Sequence, residues 1–239
     1  MKTTTPIKAI LFDKDGTLID YHQTWGPTNR RAARIAAAGD PALEARLLTV
    51  GGFDSATGLT KADSLFASGN TEEIARAWVR AGCSYPLRAL TQSLDDLFQQ
   101  TARYAIPVCD LSALFNSLHD RDIAIGIASS DSETAIRLML EVFGISDFVA
   151  FVAGYDSGYG WKPEPGMLLQ FSAMVGVPAG EIAVIGDNLH DMDMAKAGGA
   201  GLRVGVLTGT GTKETLAQAA DICLPSIASL DLDHLVARA

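Results

Sequence analysis

Apolar residues in this chain gather in short runs without alternation: "AILF" before Asp13, "IAIGIA" before Ser129, "FVAFVAG" ending at Gly154, "IAVIG" before Asp187 and "LRVGVL" before Thr208. A strand solvated on one face alternates apolar and polar positions. Runs apolar at every position therefore predict strands covered on both faces, as in a parallel sheet flanked by helices. Helical patterns lie between them. In "DSETAIRLMLEVFGI" the residues Ile136, Leu140 and Phe143 recur at spacings of four and three, with Gly144 as a stop signal. Beyond about residue 120 strand and helix signals alternate, which predicts an α/β fold with a doubly wound, Rossmann-like parallel sheet core.

From Tyr21 to Cys109 the pattern is helical with no strand between. "DPALEARLLTVGG" offers Asp40 as N-cap, Pro41 at the first helical position, a stripe of Leu43, Leu47 and Val50, and Gly51 as terminator. "NTEEIARAWVRAG" repeats this grammar, with Asn70 as cap, Ile74, Ala77, Trp78 and Ala81 on one face, and Gly82 at the end. A third helix is expected from Ser93. The first strand is thus parted from the rest of its sheet by roughly 90 residues, far more than an ordinary crossover. An inserted all-helical domain over 21–109 is expected, with the core formed by 1–20 and 110–239.

Composition narrows the function. With 239 residues, of which 48% are hydrophobic, the chain fills a genuine interior, and disorder is excluded. A formal charge of -9 argues against nucleic acid as a partner, but leaves room for a small anionic substrate if a cation offsets the repulsion. Cys83, Cys109 and Cys223 are odd in number and scattered, which fits thiols in a reducing compartment rather than zinc ligands or disulfides. "MKTTTPIKAILFDKD" has only a short apolar run before charge intervenes, so neither a signal peptide nor a membrane span is expected and the cytoplasm is the expected location.

In an open α/β sheet, ligands bind beyond the carboxyl ends of the strands where strand order reverses. Asp13 and Asp15 follow the first predicted strand, Ser129 and Ser130 the second, and Asp187 follows "IAVIG". Carboxylates and hydroxyls therefore collect at one sheet edge. With aspartates at i and i+2, Asp13 can attack phosphorus as a nucleophile while Asp15 protonates the leaving oxygen and later takes a proton from water. Asp13 with Asp187 supplies hard oxygen ligands suited to Mg²⁺. Ser129 can donate to the phosphoryl oxygens, and Lys162, ahead of Pro163, can place a positive charge on the same group. Taken singly, each has an ordinary explanation as a turn, a helix cap or a surface lysine. Their joint order and placement argue for a site.

These motifs resemble the haloacid dehalogenase-like phosphatase superfamily, and within it the phosphoglycolate phosphatase-like branch with a helical cap. "AILFDKDGTLID" matches the first motif, Ser129 the second, "GWKPEP" at Lys162 the third, and "IGDNLHDMDMAKAGG" the fourth. The resemblance implies Asp13 as nucleophile and metal ligand, Asp15 as general acid and base that also binds Mg²⁺ through its backbone carbonyl, and Asp187 as the remaining protein ligand. Asp191 is implied to face the metal's water or Lys162, Thr17 to brace the loop and help hold Asp15, and Gly16 to give that loop its backbone freedom. Gly16, Thr17 and Ser130 complete the expected substrate-binding set.

By the same resemblance, residues 21–109 form a cap that reads the leaving group. His22 and Trp25 are candidates for substrate contact there, and Arg30, Arg31 or Arg34 for a substrate carboxylate. Lys14 departs from the family pattern, in which an apolar or aromatic residue usually separates the two aspartates. It is expected to pair with a neighbouring acid or to mark a different substrate. The implied activity is Mg²⁺-dependent hydrolysis of a small phosphorylated metabolite, with 2-phosphoglycolate as first candidate, by a monomer or homodimer. Alternatives are a phosphomutase acting on sugar phosphates and a phosphonate hydrolase using Lys61.

Overall fold

The computed structural model describes residues 6–236; the expected core segments 1–20 and 110–239, and the N-terminal stretch read for a signal peptide, extend beyond these limits. Strand β1 (Ala9–Phe12) is followed by the helices α1 (Tyr21–Ala37), α2 (Pro41–Gly51), α3 (Leu65–Ser68), α4 (Thr71–Arg80) and α5 (Leu87–Thr101). Helix α6 (Leu111–His119) then leads into β2 (Ala124–Ala128), α7 (Glu133–Val142), β3 (Val149–Ala153), α8 (Gly166–Val175), β4 (Ile182–Gly186), α9 (Leu189–Ala197) and β5 (Leu202–Val206). The chain closes with α10 (Lys213–Leu216), β6 (Ile222–Leu224) and α11 (Leu232–Val236).

All six strands pair in parallel, in the order β3-β2-β1-β4-β5-β6. The chain winds outward from β1 to β3, returns to the other side of β1 at β4, and winds outward again. Strand order therefore reverses at β1, the position where such sheets bind ligands. Alternation along β1 explains its unbroken apolar run: Ile10 and Phe12 pack on one face with Leu111 and Phe115 of α6 and Ile136 and Met139 of α7. Ala9 and Leu11 pack on the other with Met167, Leu168 and Phe171 of α8. Strand β6, only half-buried at the sheet edge, has no counterpart among the predicted strands.

Helices α1 to α5 enclose a separate apolar cluster that includes Trp25, Leu47, Phe66, Trp78, Leu90 and Leu94. The two linkers to this segment run side by side, with the Asp20 amide donating to the Ile106 carbonyl at 2.8 Å and the Val108 amide to the Leu18 carbonyl at 3.1 Å. Asp40 and Asn70 cap α2 and α4 as the sequence suggests. One expectation needs correction. Helix α5 starts at Leu87 after Pro86, not at Ser93, because the fixed φ of proline suits a helix entry as well as a hydroxyl cap does. "YHQTWGP" opens α1, which carries Pro27 inside it and is capped by Asp20. Among the described residues, no helix is long and apolar enough to cross a membrane.

Candidate active site

Pairing with β4 fixes the end of β1, since the Asp13 amide donates to the Ile185 carbonyl at 2.8 Å. The chain then turns sharply at Gly16, whose φ of +84° lies in the left-handed region open to glycine. That turn lies against Asp187 at the end of β4. A Cβ on Gly16 would sit 2.7 Å from Asp187 Oδ2, and one on Gly209, in the loop after β5, 1.8 Å from the same atom. Two backbone segments thus close around this carboxylate. The Thr210 amide donates to Asp187 Oδ2 at 2.7 Å, and Thr208 Oγ1 donates to the Gly16 carbonyl at 2.6 Å.

Two buried lysines each bridge two acids. Lys162 Nζ lies 2.7 Å from Asp13 Oδ1 and 2.6 Å from Asp191 Oδ1. Lys14 Nζ lies 2.8 Å from Asp15 Oδ1 and 2.9 Å from Asp131 Oδ2, and stands 5.2 Å from the centre of the Trp25 ring. Lys14, anomalous in the sequence, therefore does pair with acids, one adjacent and one distant. Trp25 Nε1 also donates to Asp15 Oδ1 at 2.5 Å. Ser129 Oγ accepts from the Asp131 amide at 3.1 Å, which leaves its hydroxyl proton for another acceptor.

Burial pushes the Asp13 carboxyl up to about 7 against the pull of Lys162, with Asp191 and Asp15 adding to the rise. Asp187 is raised well above the carboxylate range by burial, then by Asp13 and Asp191. Asp15 is raised by burial, against Lys14. Burial also works against the charge on Asp191, but His190 and Lys162 outweigh it and hold that carboxyl low. For Lys14 and Lys162 the desolvation cost is likewise exceeded by their acid partners, so both ammonium groups are held above their ordinary value. Burial lowers His190 and favours neutral imidazole.

One oxygen from each of Asp13, Asp187 and Asp191 lies within 4.8 Å of the others. Hydrogen bonding separates their roles. Asp191 Oδ1 takes Lys162, and Oδ2 takes the Asn188 amide at 3.1 Å. By contrast, Asp13 Oδ2 is buried with no hydrogen-bond partner, and the bonds to Asp187 converge on Oδ2 alone. An orphaned carboxylate oxygen beside a second acid whose charged form is disfavoured is the environment a hard divalent cation relieves. The residues present fit Mg²⁺, with Asp13 and Asp187 better placed as ligands than Asp191.

These groups open on a cavity of about 550 Å³, mouth included, between the strand ends and the helical segment. Asp13, Asp15, Ser129, Ser130 and Asp187 all line it, while Lys162 reaches Asp13 from an adjoining hollow. Contacts between the Asn188 side chain and the Ala67 carbonyl (3.5 Å), and between Tyr155 and Asp95 (3.4 Å), hold the helices over the strand ends.

Several expected residues stand elsewhere. Thr17 is buried, its hydroxyl has no partner, and it neither reaches Asp15 nor lines the cavity. Gly16 serves by close packing on Asp187 rather than by lining. Trp25 lines the cavity but His22 does not. Arg30, Arg31 and Arg34 are exposed, with Arg30 over the Phe53 ring and Arg34 3.7 Å from Glu44. Lys61 is exposed as well and lies outside the lining. Sequence reasoning missed Asp131, Asn29 and His190, all of which line the cavity. Asp131 sits directly behind the paired serines that follow β2, so the strand-end rule extended by two residues reaches it.

Residues 7–199 match the family model of a hydrolase, the haloacid dehalogenase-like hydrolase. The chain is 27% identical over 206 residues to a phosphoglycolate phosphatase from Pectobacterium atrosepticum, covering 83% of this chain and 80% of that protein. A phosphoglycolate phosphatase from Rhodospirillum rubrum is 28% identical over 195 residues, covering 80% and 76%. In fold the chain is similar to CbbY from Rhodobacter sphaeroides, solved with phosphate, at a TM-score of 0.71 and 20% identity over 96% of this chain and 99% of that one. A haloacid dehalogenase-type hydrolase from Entamoeba histolytica gives a TM-score of 0.74 at 17% identity, covering 97% and 99%.

Proposed function

Because the chain belongs to the haloacid dehalogenase-like hydrolase family, we propose that it is a phosphatase that hydrolyses a small phosphomonoester through an aspartyl-phosphate on Asp13. The observation that carries this reading is Asp13 itself. Lys162 and the β4 pairing fix its Oδ1 and backbone, while Oδ2 is left buried and unpartnered at the cavity. Names of the curated relatives support phosphate ester hydrolysis and put 2-phosphoglycolate among the substrates to test.

In the first step one carboxylate oxygen of Asp13 forms a bond to phosphorus as the bond to the ester oxygen breaks, and the other oxygen of the same carboxylate remains available to the cation. The leaving oxygen takes a proton from Asp15. Both bonds received by the Asp15 carboxyl go to Oδ1, so the proton resides on Oδ2. In the second step Asp15 Oδ2 recovers a proton from the water that attacks phosphorus, and the bond to Asp13 breaks. Mg²⁺, held by Asp13, Asp187 and the Asp15 carbonyl, would supply positive charge against the phosphoryl oxygens. Ser129 and Lys162 donate to the same oxygens, and Asp191 keeps Lys162 in place through the 2.6 Å ion pair. Residues 21–109 act as a cap over the core formed by 1–20 and 110–239, and exclude water while the ester is held.

The test is release of phosphate from p-nitrophenyl phosphate with Mg²⁺ and after its removal by chelation, alongside Asp13→Asn. Mg²⁺-dependent release that this substitution abolishes is expected. Activity that survives the substitution defeats the reading.

A further inference from the structure

The helical side of the cavity is mainly apolar. Tyr21, Trp25, Phe66, Ile74 and Phe98 form most of its wall, with Trp25 and Phe98 edge to face at 5.2 Å between ring centres, and Asn29 and Thr71 are the polar side chains in it. The Tyr21 hydroxyl is already spent, donating to the Phe66 carbonyl at 2.7 Å. Within this wall Asn29 is 2% exposed, and its Nδ2, which faces the Tyr21 hydroxyl, makes no hydrogen bond of ordinary geometry.

No lysine or arginine occurs among the residues lining the cavity. The two nearest ammonium groups are engaged, Lys14 between Asp15 and Asp131, and Lys162 between Asp13 and Asp191 with its third proton turned to the phosphoryl group. His190 turns its Nε2 toward Asp191 at 3.6 Å, and with the ring proton on that nitrogen its buried, unpartnered Nδ1 is an acceptor, which offers nothing to an anion. A second anionic group on the substrate would therefore meet rings on one side and Asp15 and Asp131 on the other. A charge buried in that way is strongly disfavoured, whereas a flat apolar group gains both area and ring contact.

Resting on the phosphatase reading above, we propose that the leaving group is an uncharged alcohol with an apolar, ring-sized face and an oxygen that accepts from Asn29 Nδ2. The carboxylate of 2-phosphoglycolate has no cation to meet it. Preference therefore runs against that ester even though it shares the reacting phosphate.

Three esters separate charge from shape: benzyl phosphate, 4-carboxybenzyl phosphate and 2-phosphoglycolate. Expected values of kcat/KM for the wild-type chain with Mg²⁺ are at least tenfold higher for benzyl phosphate than for either anionic ester. Binding is measured in parallel by calorimetry with the stable analogues 2-phenylethylphosphonate and 3-phosphonopropionate, with at least tenfold tighter binding of the first expected. Hydrolysis of all three esters at similar rates, or preference for 2-phosphoglycolate, overturns the inference and leaves the phosphatase reading intact. Tighter binding of 2-phenylethylphosphonate with no ester hydrolysed upholds the leaving-group assignment and overturns the phosphatase reading. Equal binding of the two phosphonates overturns the inference whatever the hydrolysis shows. In Asn29→Ala, kcat/KM for an ester of 4-hydroxymethylpyridine is expected to fall relative to that for benzyl phosphate, because only the first carries a ring acceptor; an unchanged ratio removes Asn29 from the assignment.

Discussion

On the sheet side of the cavity, Asp13, Asp15, Asp131, Asp187 and Asp191 share Lys14 and Lys162, whereas the helical side presents Trp25, Phe66, Ile74 and Phe98. Full ionisation of these five acids against two ammonium groups would leave three negative charges in excess, and burial with that repulsion raises the carboxyl pKa values of Asp13 and Asp187. The helical side carries no such tension. Its rings pack as a core packs, with one amide left without a hydrogen bond of ordinary geometry. The difference teaches where each property resides. Strand ends hold stored electrostatic imbalance that a cation and a phosphate relieve, while the helices offer shape.

The largest expected effect breaks the sheet side alone. Lys14→Met and Lys162→Met each strand two buried acids, and removing one member of such a network costs about 3–5 kcal/mol. Denaturant unfolding should show losses of that order for both. Arg30→Ala, in the helical segment, removes only an exposed cation 4.7 Å above the Phe53 ring and should cost about 0.5–1 kcal/mol. Similar losses for all three would mean that the buried acids are not held by the lysines.

A second test sharpens the comparison through pH. Asp13 has its carboxyl raised to about 7 by burial, above an unfolded value of about 3.9. Between those values the folded chain keeps a proton that the unfolded chain has released. Without a cation, stability therefore falls as pH rises through that window, and the deficit is complete above about 7. Mg²⁺ competes with this proton, so its stabilising effect should be larger at high pH than at low pH. At a hundred times its dissociation constant the gain is about 2.7 kcal/mol, or roughly 5–10 °C in Tm for a chain of this size. Thermal unfolding with and without Mg²⁺, on both sides of neutrality, checks it. An equal shift at every pH would place the ion elsewhere.

How far the sequence disclosed these two sides follows from the same contrast. Strands β1, β2 and β4 show as unbroken apolar runs because both of their faces are covered, and Asp13, Ser129 and Asp187 are legible because each directly follows one. Strand β6 is short and half-buried at the edge, so its apolar signal is weak. Gly26 and Pro27 conceal the length of α1. For Lys14 the sequence predicts a pairing with a neighbouring acid, but its second partner, Asp131, is brought to it only by the loop after β2. Asn29 and the ring wall owe their meaning wholly to the helices closing over the strands, which no local spacing encodes. Arg30, Arg31 and Arg34, the candidates for a substrate carboxylate, lie on the exposed face of α1.

Trp25 belongs to both sides, and it gives the smallest and most specific test. Its ring lines the apolar wall against Phe98, while its Nε1 donates to Asp15 Oδ1 at 2.5 Å. Trp25→Phe keeps an aromatic ring and removes the donor. A hydrogen bond to a charged or partly charged group contributes about 1.5–3 kcal/mol, but Lys14 still holds the same oxygen at 2.8 Å and limits the loss. We expect kcat to fall about tenfold, the equivalent of about 1.4 kcal/mol. The ratio of kcat/KM between benzyl phosphate and 4-carboxybenzyl phosphate should stay within about twofold of wild type, since that ratio depends on charge in the cavity and not on proton transfer. A collapse of the ratio with kcat unchanged would reverse the assignment and make Trp25 part of the leaving-group wall alone.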